Sequence, residues 1–530
     1  MRRIFIVSAL LIIVANAAIA WIWPDILWSF VVFGPLIGLG VYDISQTRRT
    51  LLRNFPIIGH GRYLMEMVSP EIHQYFVEGL HHGLPFSREV RAVIYQRAKK
   101  ELQTLPFGTR RDVHAAGYEW VNHSIQPIHV DAATLRVTIG CRRCKQPYAA
   151  SILNISAMSF GSLSSNAIRA LNGGAKIGGF AHNTGEGSIS PYHLEMGGDL
   201  IWQIGTGYFG CRSLDGDFCE KNFVQRATLP VVKMIELKLS QGAKPGHGGI
   251  LPAIKVTPEL AQMRGVSLGK DVISPPGHSA FHTPIEMMMF VEKLRELSGG
   301  KPVGIKLCVG KRREFIAICK AMVQTEIVPD YVAVDGGEGG TGAAPLEFSN
   351  SVGCPLVEGL IFVHNALVGF GLRKEIRVIA AGRLTTAFDI VAKLAIGADL
   401  CHMARGFMFA LGCIQALRCN TNHCPTGIAT QRDDLVNGLV VTDKKQRVAN
   451  FHRDTTRTVA EILGAMGIRH SAELRPWHLM CRVGLNEIRH YGELYEYLKP
   501  DSLTREPYPA SYDRALRAAR AESFAAVGEG

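Results

Sequence analysis

The stretch YVAVDGGEGGTGAAP, residues 331–345, is a short apolar run that ends abruptly in five glycines. Five residues rich in Val, bounded by a Gly-rich turn, read as a buried strand. Gly336, Gly337, Gly339, Gly340 and Gly342 carry no Cβ, so their backbone N–H groups can approach an anion closely. The same grammar repeats on both sides. Candidate strands lie at 152–157, 231–237, 303–307, 378–381 and 400–404, with helical intervals at 284–297, 313–324 and 387–396. Strands alternating with helices predict an α/β chain whose parallel sheet closes into a (β/α)8 TIM barrel. The polar, glycine-rich motifs follow the strands, and barrel enzymes place their active sites on those loops.

Composition agrees with a large folded chain. Of 530 residues, 47% are hydrophobic and 20% charged, enough apolar surface for a sizeable core and too long for one average domain. The net charge of +12 has no basic helix interleaved with aromatics and no zinc-finger spacing, so nucleic acid is not the expected partner. Part of the excess sits near the N-terminus, at Arg2, Arg3, Arg48, Arg49 and Arg53.

Those arginines bracket two apolar runs. Residues 4–23 contain no charge, and twenty helical residues span ~30 Å, the hydrocarbon thickness of a bilayer. Pro24 and Asp25 break the run, and residues 26–42 form a second one containing Pro35. Trp21, Trp23 and Trp28 flank the break as an interfacial belt would. A signal peptide shares the Arg start and the Ala-rich stretch, but its apolar core is shorter and no second run follows. The expectation is a transmembrane helical hairpin over 1–45 in the cell inner membrane. With arginines at both outer ends, the catalytic domain faces the cytoplasm. Residues 46–134 read as a linker and small helical region, 135–435 as the barrel, and 436–530 as a C-terminal helical extension.

Cys413-x5-Cys419-x4-Cys424-Pro425 places three thiols within twelve residues. They either converge on a soft metal centre (zinc, copper(I) or iron–sulfur) or are unrelated buried thiols, and spacing leaves both open. Zinc would want a fourth ligand, for which His423 is awkwardly placed, and three thiolates suit a three-iron cluster better. Cys141-x2-Cys144 has no second half and stays unassigned. The G-x-G-x-x-G match at 337–342 is followed by Pro345 and lacks a βαβ continuation, and no P-loop motif occurs.

The cysteine segment resembles the [3Fe-4S] segment of glutamate synthases. The likeness continues through MSFGSLS (158–164), NTGEGS (183–188), QGAKPGHGG (241–249), ISPPGH (273–278), IKL (305–307) and DGGEGGTGAAP (335–345), in that family's order. The resemblance covers roughly 135–435. It implies a barrel carrying FMN, with a [3Fe-4S] cluster on Cys413, Cys419 and Cys424. FMN contacts then fall on Met158, Ser159, Thr184, Lys306, Asp335, Gly336, Gly337, Gly340, Gly382, Arg383, Arg405 and Gly406. Lys306 would face the flavin and stabilise negative charge on the reduced ring. Glu186 matches a position near the ammonia route. Gln241, Lys244 and Arg264 match positions that bind 2-oxoglutarate, a dicarboxylate that needs cations. Two departures stand in that segment: His247 where the family commonly has Glu, and Ile250 where it commonly has Gln.

The resemblance implies glutamate synthase activity: reductive amination of 2-oxoglutarate through 2-iminoglutarate by reduced FMN. No glutamine-hydrolysing or NAD(P)H-binding segment is recognised. Ammonia is therefore expected from solution or a partner, and electrons from ferredoxin or a reductase subunit. His247 and Ile250 keep open an FMN/Fe–S oxidoreductase acting on another 2-oxo acid or imine. A non-catalytic, membrane-bound electron-transfer subunit is the third possibility.

Overall fold

The computed structural model describes residues 1–101, 103–140 and 142–526; Cys141 of the Cys141/Cys144 pair lies outside them. The chain divides into two compact units, Met1–Glu89 and Val90–Gly530.

In the second unit eight parallel strands close into a barrel: β1 (Leu153–Ile155), β2 (His182–Asn183), β3 (Leu200–Ile204), β4 (Val232–Lys238), β5 (Val303–Leu307), β6 (Tyr331–Asp335), β7 (Arg377–Ala381) and β8 (Leu400–Met403). β4 pairs with β5 and β8 with β1, which completes the ring. The expected (β/α)8 architecture is therefore the observed one. Strands 303–307 and 331–335 and the helix Pro284–Leu297 fall where the apolar runs put them. Two strands, β2 and β3, have no counterpart in the sequence reading. β2 is only two residues long, His182 and Asn183, so it has no period to detect.

Local chemistry fixes the helix ends. Thr283 caps Pro284–Leu297 in a reciprocal box with Glu286, and Thr386 does the same with Asp389 for Ala387–Ala395. Ser164 caps Ser165–Gly178 through Ala167 N–H, and Gly179 ends that helix at φ 63°. The long helix Val441–Ala465 lies along Ser165–Gly178, where a Cβ on Gly174 would meet Val448 at 2.4 Å. Glycine is what allows that approach.

The N-terminal end of the barrel is plugged. A hairpin of Arg136–Ile139 and Tyr148–Ser151 sets Ile139 and Ala150 onto a buried cluster of Ala181, Ile201, Met234, Tyr331, Ile379 and Leu400. Gly304 on β5 leaves room for the Tyr331 ring, which a Cβ would contact at 2.4 Å. A three-stranded sheet ties Glu119–Val121 to Leu479–Arg482 and Ile488–His490, so the C-terminal segment contains strands as well as helices.

In the first unit the helices Arg2–Ala20 and Pro24–Ser45 are long and apolar enough to cross a membrane. Their side chains are mostly exposed, Leu11 by 64% and Val31 by 65%, which a core helix of a soluble domain would not be. The second run opens with a 3-10 turn, Pro24–Ser29, before the α-helix Phe30–Ser45. Gly40 packs against Phe5, and Ser29 Oγ donates to Asn16 Oδ1, so the amide of the first helix finds a partner inside the hairpin.

Candidate active site

Inward-facing positions recur every second residue along each strand. On β4 the inward set is Met234, Glu236 and Lys238, and on β6 Tyr331, Ala333 and Asp335. The ladder puts Lys306 level with Lys238 and Ala333. The barrel interior therefore grades from apolar to polar to charged. In the middle, Asn183 Nδ2 and Gln203 Nε2 both donate to Glu236 Oε1, at 2.8 and 2.6 Å. His402 shares this buried zone, and burial pulls its imidazole down to about 3.

At the C-terminal mouth the charged groups are paired. Lys238 Nζ lies 2.6 Å from Glu186 Oε1 and donates to Gln241 Oε1 at 2.8 Å. Burial alone would raise the Glu186 carboxyl. Lys238, with Lys244 and Arg264 beyond it, holds it below its ordinary value. Lys306 Nζ is 3.5 Å from Asp335 Oδ2. Burial would lower that ammonium, but Asp335 and Glu236 overcome it and raise its pKa. Lys306 thus points into the barrel rather than out to solvent.

Two further cations are held in reserve. Lys244 is buried, donates to Ala343 O at 2.8 Å, and is pushed down to about 8 by burial. Arg264 donates through Nη2 to Phe160 O at 2.7 Å, and its guanidinium lies 5.2 Å from the centre of the Phe209 ring. Burial brings it down to about 10 against the pull of Glu186. Its Nε is buried with no partner among the described residues, as is Glu236 Oε2. Phe209 also lines a cavity of about 440 Å³ between the β3 loop and residues 266–279.

Glycines bring the strand-end loops together. A Cβ on Gly242 would strike Gly336 O at 1.6 Å, and one on Gly382 would meet Gly336 N at 3.0 Å, at φ 128°. Gly242 N–H donates to Asp335 Oδ2 at 3.0 Å. Gly337 approaches the Gly353 carbonyl, and Gly340 lies against Arg405, whose Nη2 donates to Glu338 O at 2.7 Å. Gly406 packs on Met403, and Arg383 follows Gly382 at φ 46°. On the other side of the mouth Gly185 abuts Met158 and Ser159, and Gly187 abuts Ser159 and Arg264. Thr184 is fully buried there, giving its N–H to Ile201 O and its hydroxyl to Gly185 O.

The cysteine segment docks on this mouth. Ser164 N–H donates to Ile428 O, Ser164 Oγ to Gly427 O, and Gln431 Nε2 to Leu163 O at 2.9 Å. Buried Lys255 donates to Ser162 O and Cys419 O. Among the described residues no three His, Cys, Asp or Glu side chains are gathered as a metal site. The donor chemistry nevertheless fits an iron–sulfur cluster. Cys413 Sγ accepts Gln415 N–H, and Cys424 Sγ pairs with Thr426 Oγ1, hydrogen bonds of the kind that tune cluster thiolates. His423 is exposed and bonded to Arg432. Cys144 Sγ donates to Gly300 O.

The two departures are engaged locally. His247 Nδ1 meets Gly248 O at 2.9 Å and its ring packs edge-on to Phe348. Ile250 pairs with Ile273 in a two-stranded ribbon, next to Gly249, whose position abuts Glu186.

Sequence reasoning missed Lys238, Glu236, Asn183, Gln203 and His402. Glu236 and Lys238 were detectable: two charges at i and i+2 in VKMIELK share one face of a strand whose other inward residue is Met234.

Fold and mouth define the class first: a (β/α)8 barrel with a charged C-terminal mouth and a thiol-bearing loop seated on it. Comparison with known proteins narrows it. The family described as the conserved region in glutamate synthase matches residues 117–469. The chain is 35% identical over 483 residues to the glutamate synthase large subunit-like protein YerD of Bacillus subtilis, covering 83% of this chain and 91% of that one. It is 36% identical over 335 residues to an archaeal glutamate synthase (NADPH) of Methanocaldococcus jannaschii, covering 63% and 62%. A ferredoxin-dependent glutamate synthase of Antithamnion sp. is 33% identical over 296 residues, 56% of this chain and 17% of its own length. The chain belongs to the glutamate synthase family. Membership makes it an oxidoreductase acting on CH–NH2 donors and implies FMN and an iron–sulfur centre.

Proposed function

We propose that this protein is a membrane-anchored glutamate synthase that reductively aminates 2-oxoglutarate with ammonia. The observation that carries the reading is the cation set Lys238, Lys244 and Arg264 around one anion, Glu186. Arg264 Nε is buried and unpartnered there, which suits a dicarboxylate guest.

Met158, Ser159, Lys306, Asp335 and the glycines at 336, 337, 340, 382 and 406, with Arg383 and Arg405, would hold FMN. When bound, FMN supplies hydride chemistry to the imine carbon of 2-iminoglutarate. The protein's own part is orientation and charge. Lys244 and Arg264 exchange backbone carbonyl partners for substrate carboxylates. Lys238 keeps Glu186 ionised, and Glu186 in turn orients ammonia by accepting its N–H hydrogen bonds at a carboxylate oxygen. Lys306 holds positive charge where negative charge develops.

Cys413, Cys419 and Cys424 would hold a [3Fe-4S] cluster. The hydrogen bonds of Ser164 and Gln431 fasten their loop to residues 161–164, which continue the chain from Met158 and Ser159 and would give single electrons a route to the flavin. Ferredoxin or a reductase subunit would supply those electrons, and ammonia would come from solution or a partner. The apolar helices Arg2–Ala20 and Pro24–Ser45, flanked by Arg2, Arg3, Arg48, Arg49 and Arg53, would anchor the chain in the cell inner membrane with the barrel on the cytoplasmic side.

His247 and Ile250, in the segment whose Gly249 abuts Glu186, favour as second reading an oxidoreductase for a different 2-oxo acid. Anaerobic purification in detergent with visible and EPR spectra tests both readings. Flavin and a three-iron signal are expected, followed by flavin reoxidation on adding 2-oxoglutarate and ammonia. Absence of flavin and cluster would refute both, whereas reoxidation only by other 2-oxo acids selects the second.

A further inference from the structure

The segment that follows the hairpin carries an apolar face that is largely exposed among the described residues. Helix Gly59–Ile72 continues through one π-helical turn, His73–Val77. At 100° per residue Leu64, Met65, Val68 and Ile72 fall within an arc of about 100°. Leu64 is 50% exposed, Met65 59%, and Phe76 in the following turn 84%. Arg62 and Glu66 lie outside that arc, ion-paired at 2.8 Å, and Glu71 borders its Leu64 edge. Stranding so much apolar surface in water is unfavourable at ~25 cal/mol per Å².

Two observations say what covers it. Asp43, fully buried in the last turn of the second apolar helix, accepts Ile57 N–H and His60 Nε2, both at 2.9 Å. The helix is thereby fastened at its first turn to the end of the preceding apolar helix, the depth at which a bilayer gives way to headgroups. Between Asp43 and Glu66 the chain has Arg48, Arg49, Arg53 and Arg62 and no carboxylate. Arg49 stacks over Tyr63 at 4.6 Å, which keeps one of these charges beside the helix.

We propose that Gly59–Val77 is an interfacial helix that lays its apolar face into the headgroup region of an anionic bilayer. The proposal rests on the preceding hairpin crossing that bilayer. It gives the protein a second membrane contact, driven by burial of the Leu64–Phe76 face and by arginine attraction to anionic lipid.

The full chain, reconstituted in phosphatidylcholine vesicles with or without phosphatidylglycerol and a diazirine-acyl lipid, tests this by mapping carbene adducts. Residues 59–77 should be labelled within about threefold of the hairpin's yield, and severalfold more with phosphatidylglycerol present. The double variant Ile72→Glu/Phe76→Glu should lose adducts at 59–77 and keep them in the hairpin. Labelled spans with unlabelled 59–77 would overturn the interfacial helix and leave the hairpin standing. Unlabelled spans would overturn the hairpin itself.

Discussion

At the N-terminal end of the barrel, Ile201, Met234, Tyr331, Ile379 and Leu400 pack under the hairpin and exclude water. Two and four residues further along the same strands, the inward positions are Gln203, Glu236, Lys238, Asp335 and His402. One set of strands thus carries a dry plug at one end and a dense cluster of polar and charged groups at the other. The plug stabilises the ring, so the mouth can hold buried charges that would be costly in a less constrained scaffold. The comparison also separates two kinds of damage: loss at the plug should cost stability, loss at the mouth chemistry.

The largest effect is expected at the plug. Tyr331→Ala removes a fully buried ring and its bond to Ile235 O, and should destabilise by about 4 kcal/mol, read by denaturant midpoint. Protein that remains folded should keep its KM for the oxo acid. At the mouth, Lys306→Met leaves Asp335 without its buried cation, so it should cost some stability, though less than the plug variant, and lower turnover by about 10²–10³-fold, measured by anaerobic stopped flow. An equal loss of stability in both variants would erase the distinction between the two ends. Arg264→Lys keeps the charge but not the fork, and should raise KM by about tenfold with kcat little altered.

A pH series sharpens the same contrast. Lys244 titrates near 8 and is charged below that value, so oxo-acid affinity should be flat below pH 8 and fall above it. Its decline is at most about tenfold per pH unit and should be absent in Lys244→Met. The smallest effect is Ser164→Ala, which removes a helix cap and a bond to Gly427 O. It should cost about 1 kcal/mol and speed loss of the EPR signal in air, because the cysteine loop is moored there.

Much of the barrel could be read from its apolar runs, since buried parallel strands and capped helices leave local signatures. β2 could not, because two residues carry no periodicity. The glycine loops were legible as motifs, while their contacts were not: nothing in QGAKPG says that Gly242 touches Gly336. Lys238 and Glu186 lie far apart in sequence, and neither alone distinguishes a buried ion pair from a solvated surface charge. The cysteine triplet was visible by spacing, but its seat on residues 161–164 was not.

By itself, then, the sequence determined what depends on local pattern: two apolar helices at the N-terminus, the alternation that closes a barrel, and the ordered motifs that mark the family. The tertiary structure decided which side chains meet. Strand register sets Lys306 beside Lys238, barrel closure gathers Glu186, Arg264 and Asp335 at one mouth, and exclusion of water there shifts their protonation. Those are properties of distance and burial, which chain order does not encode residue by residue.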